Sequence, residues 1–227
     1  MLNYDWLGGW GPWGRFGYGP WGGLARERHA WDHGLTWRSQ RTVDPDELPV
    51  DLAYIRNSVL RVTNGDIEDA HIENLCWQAT EAAEDMTQRA LMPQTWQMVL
   101  DRFPCHAIRL ERPPLIDVTQ IDYVDADGNP QTLTGSPSQF QVVPSGQMTK
   151  AEVVPLSGQN WPATKCQRDA VTVTYTAGYA DEDSVPYLIR AGIALMVGEL
   201  YKNRELSISS RHIESVLKIE RFWKRVW

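Results

Sequence analysis

Cys105 and His106 put a thiol beside an imidazole, the pair from which a thiolate nucleophile and its base can be built. Neighbours on a strand point to opposite faces, so the two cannot hydrogen-bond as nucleophile and base. A hydrolase built on them is the weakest of three readings of the chain. Asp125, Asp127 and Asn129 copy the first three ligands of a calcium loop, but Pro130 stands where the loop needs glycine and Ser136 where it needs the bidentate glutamate. A polar hairpin tip accounts for the same residues. His29 and His33 stand four apart, but in an arm where no helical period is found, and His71 and His212 have no such partner; no HExxH, GxSxG or P-loop is present, and the glycines of the arm, GxGxxG spacing at 9–14 included, neither follow a strand nor open a helix. The sequence therefore nominates no catalytic residue, no metal ligand set and no cofactor.

The three cysteines, Cys76, Cys105 and Cys166, are odd in number and widely spaced, which argues against both a disulfide framework and a zinc knuckle. No apolar run reaches membrane-spanning length, and the start lacks a cationic segment followed by an apolar one. The expectation is a soluble protein kept in cytosol-like conditions. Residues 1–44 carry five basic and four acidic groups, 45–185 carry nine and twenty-one, and 186–227 carry eight and four. So acidic a middle is a poor general binder of nucleic acid, which leaves the basic C-terminal segment as the part suited to DNA or an acidic partner.

The elements follow from local punctuation. Pro45-Asp46-Glu47-Leu48-Pro49 signals a first helix with Leu52, Ile55, Val59 and Leu60 on one face. Asp66 is a natural N-cap for a second, in which Ile67, Ile72, Leu75, Cys76, Ala79, Ala82, Ala83, Met86 and Ala90 trace a stripe that Pro93 ends. Strand grammar takes over at Trp96, Met98, Leu100 and Phe103, then Ile108 and Leu110, then Ile116 to Val124, which turns at Asp125–Asn129 and returns over Thr132–Thr134. Further strands are expected at 140–143, 151–155 and 170–176. After Pro186 a helix is apolar on nearly every side, as in a buried helix, and a linker at 205–210 leads to a last amphipathic helix. The fold class expected is α+β: a bundle of about four helices with an inserted small antiparallel β-module, plus an extended Trp/Gly-rich arm. Its parts are an arm at 1–44, N-terminal helices at 45–92, a β-insert at 93–184, a buried helix at 185–205 and the C-terminal helix at 206–227.

The arm is the odd part of the composition. Ten of the 31 glycines and prolines lie in the first 23 residues, interleaved with Tyr4, Trp6, Trp10, Trp13, Phe16, Tyr18 and Trp21. Burying seven aromatics would yield at most about 35 kcal/mol at roughly 25 cal/mol per Å². Ordering the 23 residues costs about the same at roughly 1.5 kcal/mol each. Such a segment has no fold alone and orders only where another surface adds contacts; these aromatics are the candidate arm contacts.

Two further sets are candidate contact surfaces. Glu68, Glu73, Glu81, Glu84 and Asp85 on the second helix form either its solvated face or a side that meets the basic groups of a neighbouring subunit. On the last helix Ile213, Val216, Leu217, Trp223 and Trp227 make an apolar side ringed by Lys218, Arg221, Lys224 and Arg225, and Phe222 joins Trp223 and Trp227 in an aromatic cluster over the last six residues. Trp with Arg is the composition of interface anchors, and an amphipathic stripe suits docking in a groove; the alternative is packing on the chain's own core.

The motif order Ile72–Pro93, Gln94-Thr95-Trp96, Leu110-Glu111-Arg112-Pro113-Pro114, Ile121–Gly128, Val171–Tyr179, Val185-Pro186 and Tyr201-Lys202-Asn203-Arg204-Glu205 resembles the head-tail connector (adaptor) proteins of long-tailed bacteriophages and related gene-transfer particles. The resemblance spans about residues 48–205. It implies a homo-oligomeric, dodecameric ring beneath the portal protein that closes the DNA-filled head and offers a platform to a neck, tail-terminator or tail protein. It also implies virion localisation after assembly in the host cytoplasm, no enzymatic activity and no membrane contact, with channel DNA near the ring. Family members seat their C-terminal segment on the portal, so residues 211–227, with Ile213, Val216, Leu217, Arg221, Phe222, Trp223, Lys224, Arg225 and Trp227, become the implied portal contact. The Trp/Gly-rich arm departs from the family pattern. A different class of function, a host-surface or glycan-binding module using the β-insert and the tryptophans of the arm, is the alternative.

Overall fold

The computed structural model describes residues 36–62, 68–144, 150–202 and 217–218. Strand β1 (Trp37–Val43) leads to α1 (Leu52–Tyr54), which widens into a π-helical stretch over Ile55–Leu60. Pro49 disfavours helical backbone at the residue before it, and the helix opens only at Asp51, whose carboxylate accepts from the Ala53 and Tyr54 amides at 2.9 and 3.3 Å. Arg61 closes the stretch at φ 56°.

Helix α2 (Asp69–Thr87) buries Ile72, Leu75, Cys76, Ala79 and Ala83, the stripe read from sequence. It ends before Pro93 because Gln88 turns left-handed (φ 58°), its N–H returning to the Glu84 carbonyl at 2.8 Å. Ala90, the last residue of the expected stripe, is buried among sheet residues instead. The proposed N-cap Asp66 lies outside the described residues.

Seven more strands follow: β2 (Gln94–Leu100), β3 (Ile108–Arg109), β4 (Leu115–Val124), β5 (Pro130–Leu133), β6 (Phe140–Val143), β7 (Glu152–Pro155) and β8 (Val171–Ala177). They form a five-stranded antiparallel sheet ordered β1-β2-β8-β4-β5 and a three-stranded one ordered β3-β7-β6. Trp96, Met98 and Leu100 face Tyr175, Val173 and Val171 across the β2–β8 pair. On β4 the buried residues are Val118 and Ile121, three apart, because an irregularity between Val118 and Gln120 shifts the alternation by one. Helix α3 (Tyr187–Lys202) closes the described body.

The structure amends the expected fold in three respects. The fold is α+β, but the described residues hold three helices and not a bundle of about four; of the fourth, only Leu217 and Lys218 are described, and both are helical. The β-part is no small insert, since its eight strands make two sheets. Residues 37–43, counted with the arm, are the edge strand β1. An edge strand needs only ladder hydrogen bonds and one packed face. The half-buried residues of WRSQRTV are Ser39 and Arg41, opposite Met98 and Trp96, so no apolar alternation betrays it.

Two cores result. The helical one holds Ile55, Ile72, Cys76, Ile189, Ile193, Met196 and Val197; the sheet one holds Ile108, Leu110, Ile121, Phe140, Val153, Val173 and Tyr175. Among the described residues no helix is long and apolar enough to cross a membrane.

Candidate functional site

The surface of this chain is shaped by the junction between its two cores, and Glu84 is at the centre of it. Its side chain is 6% exposed and accepts from the Leu91 amide at 2.8 Å, Gln94 Nε2 at 2.6 Å and Arg41 Nη1 at 3.2 Å. Burial pushes its carboxyl up from the ordinary value, partly offset by the Leu91 and Gln94 hydrogen bonds and by the charges of Arg41 and Arg112. Arg41, carried in by β1, also reaches Glu81 at 3.2 Å and Asp44 at 2.7 Å. Arg112 donates to the Glu84 carbonyl at 2.9 Å and to Asp85 at 3.0 Å, with its guanidinium carbon 5.3 Å from the centre of the Trp96 ring.

Backbone contacts complete the junction. Ala90 N–H donates to the Pro113 carbonyl, Gly178 N–H to Pro114 and Tyr179 N–H to Leu91, at 3.2, 2.9 and 3.3 Å. Gly178 has φ 135°, and a β-carbon there would lie 2.2 Å from the Met92 carbonyl oxygen. Strand and loop touch backbone to backbone, which only glycine permits. Four segments quoted above, around residues 84–93, 94–96, 110–114 and 176–179, thus converge on one structural joint.

The acidic set of α2 is thereby divided. Glu84 is not on a solvated face: it lies on the same side as buried Thr80 and Thr87, and its charge is met by Arg41. Glu81 and Asp85 are exposed but paired within the chain with Arg41 and Arg112. Glu68 accepts from the Tyr201 hydroxyl at 2.8 Å. Glu73 is exposed on the rim of a groove of about 160 Å³ between α1 and α2, lined by Leu52, Ala53, Arg56, Asp69 and Ile72, where Arg56 and Asp69 pair at 3.0 Å.

Helix α3 is buried on one side only. Ile189, Gly192, Ile193, Met196, Val197 and Leu200 face the core. Tyr187, Leu188 and Leu195 are 73%, 37% and 43% exposed, with Ala191 between them. The all-round apolar pattern held this signal, but pattern alone assigns such a helix to the interior.

Of the C-terminal candidates, Leu217 is fully buried in the helical core against Gly192, so the alternative of packing on the chain's own core describes this residue. Ile213, Val216, Arg221, Phe222, Trp223, Lys224, Arg225 and Trp227 lie outside the described residues, as do Tyr4, Trp6, Trp10, Trp13, Phe16, Tyr18 and Trp21 of the arm.

Cys105 and His106 lie on an exposed bend before β3, not on a strand. The His106 carbonyl accepts from Trp161 Nε1 at 2.9 Å, and the Trp161 ring stacks on Phe103 with centroids 4.8 Å apart. Trp161 also borders a cleft of about 240 Å³. At the β4–β5 tip the Asp125 carboxylate accepts from the Asp127 and Asn129 amides at 3.0 and 2.8 Å, and these turn bonds hold its pKa below the ordinary value. Among the described residues no three His, Cys, Asp or Glu converge as metal ligands.

No family model and no curated protein sequence matches the chain. Solved structures do. The fold is similar to a chain in the neck of an empty gene transfer agent particle computed with C6 symmetry, with TM-score 0.67 and 19% identity over 82% of this chain and 96% of that one. A chain of the virion of a native gene transfer agent particle gives 0.66 at 19% identity, with 82% and 96% covered. One from the neck of a native particle computed with C12 symmetry gives 0.63 at 19%, with 83% and 96% covered. At this identity the likeness is one of fold, and it takes in nearly the whole of each neighbouring chain.

Proposed function

We propose that the chain is a structural head-tail connector: a neck subunit that forms a dodecameric ring beneath a portal protein, closes the DNA-filled head and offers a docking platform to a neck or tail protein. One observation carries this reading, the fold shared with chains of gene transfer agent necks and virions over 96% of the length of each. The role is architectural and non-enzymatic, exercised in the virion neck after assembly in the host cytoplasm. The joint around Glu84 supports it by tying two cores into one stiff unit. Residues 211–227 are the proposed portal contact and the aromatic arm is proposed to lie along adjacent virion proteins, its tryptophans filling pockets. The glycan-binding alternative draws less support, because Trp161 beside the β-sheet cleft has its N–H and one ring face committed within the chain.

The test is capture of the full chain by its cognate portal, followed by reconstruction of the particle. The expected result is density for this chain in the neck and loss of capture when residues 211–227 are deleted. Unchanged capture by the deletion overturns the anchor; absence of the chain from purified particles overturns the connector.

A further inference from the structure

A ring closes by a heterologous contact, in which one surface of each subunit fits a different surface of the next. The acidic face of α2 is a poor source of such a surface, since Glu81, Glu84 and Asp85 are engaged by Arg41 and Arg112 of the same chain. Two other surfaces are built for it and share no residue. One is the outward side of α3, where Leu188, Ala191 and Leu195 recur at i, i+3 and i+7 and present apolar side chains to solvent. The other is the groove between α1 and α2, where exposed Ala53 and half-buried Leu52 lie over buried Ile72.

Their charges also correspond. The exposed side of α3 ends in Lys202, and Glu73 stands exposed on the rim of the groove. Past Leu195 the stripe carries exposed Glu199 and then Lys202, and the groove carries the Arg56–Asp69 pair beside Glu73, so Lys202 is the cation that can meet the carboxylate on the lip. We infer that the occupant of the α1–α2 groove is a second copy of this chain, which sets Leu195 and Leu188 of α3 against Leu52 and Ala53 and brings Lys202 toward Glu73. The inference rests on the ring reading above and names the two faces that close the ring. Repetition of the contact buries on every subunit the α3 side that the isolated chain leaves wet.

The test is cysteine cross-linking in particle-producing cells. Ala53→Cys and Leu195→Cys are introduced together into full-length chain carrying Cys105→Ser and Cys166→Ser, leaving buried Cys76 in place. The expected result is a ladder of disulfide-linked multimers in the purified necks from the double variant and monomer alone from either single variant. Dimers from Leu195→Cys alone mean that α3 pairs with its own copy and overturn the inference, as does cross-linking of Leu195→Cys to a different neck protein. Necks that contain the chain but give no ladder overturn the inference and leave the connector role standing. A chain missing from the particles overturns both. A second variant, Leu195→Asp, lies on the surface and is expected to keep the melting temperature within a few degrees while lowering incorporation into necks at least tenfold; undiminished incorporation also overturns the inference.

Discussion

Gly192 of α3 faces Leu217 so closely that a β-carbon on the glycine would lie 2.7 Å from the leucine Cδ2 and 3.1 Å from its Cγ. The side chain of Leu217 fills the space that a missing side chain leaves. This contact fixes one point of the C-terminal segment to the helical core.

Leu217→Ala is therefore expected to destabilise the chain by about 2–5 kcal/mol, the usual range for emptying a buried leucine site. Gly192→Leu, which occupies the same space from the other side, should displace Leu217 and speed proteolysis after residue 202. Thermal melts and limited proteolysis read both; an unchanged melting temperature for Leu217→Ala would contradict the placement.

Glu84 gives a pH dependence of defined sign. Its folded-state pKa is raised by burial, so the folded chain binds more protons than the unfolded one between the ordinary carboxylate value and the raised one. Its contribution to stability is fully present at low pH and is lost as pH rises through that window. Glu84→Gln removes the titration, and the difference between wild-type and variant denaturation curves should fall with rising pH there. Parallel curves would show that Glu84 does not titrate abnormally. Glu84→Ala leaves Arg41, Gln94 and the Leu91 amide without their acceptor and should cost about 3 kcal/mol.

Gly178→Ala places a β-carbon 2.2 Å from the Met92 carbonyl oxygen at φ 135°. Backbone on both sides leaves no flexible group to move aside, so the substitution should cost more than about 3 kcal/mol. Arg112→Lys is milder: the ammonium cannot both bond the Glu84 carbonyl and Asp85 and lie over Trp96, and a loss of about 1–2 kcal/mol is expected by chemical denaturation.

The thiols sort by burial. Cys105 and Cys166 are exposed, whereas Cys76 is buried with its pKa pushed up to about 11, first by burial and then by the charge of Glu73. A disulfide reagent at neutral pH should titrate two thiols quickly in the folded protein and the third only on unfolding. Fast reaction of all three would place Cys76 outside the core.

How much of this could be read beforehand depends on where each signal lives. Helix α2 and the β4–β5 hairpin were legible because stripe and turn residues lie within one short window. β1 was not, since an edge strand with Ser39 and Arg41 on its inner side carries no alternation. Glu84 resembled its exposed neighbours at helical spacing because its partner Arg41 stands 43 residues upstream and arrives only through strand pairing. The all-round apolar face of α3 was legible as composition, yet burial by its own core and burial by something else leave the same pattern.

The backbone approach at Gly178 has a mechanical consequence. Load applied to the helices passes into the five-stranded sheet through main-chain atoms in direct contact and through a carboxylate gripped from three directions. Tilting the two halves against each other strains those contacts, so the joint resists bending between helices and sheet.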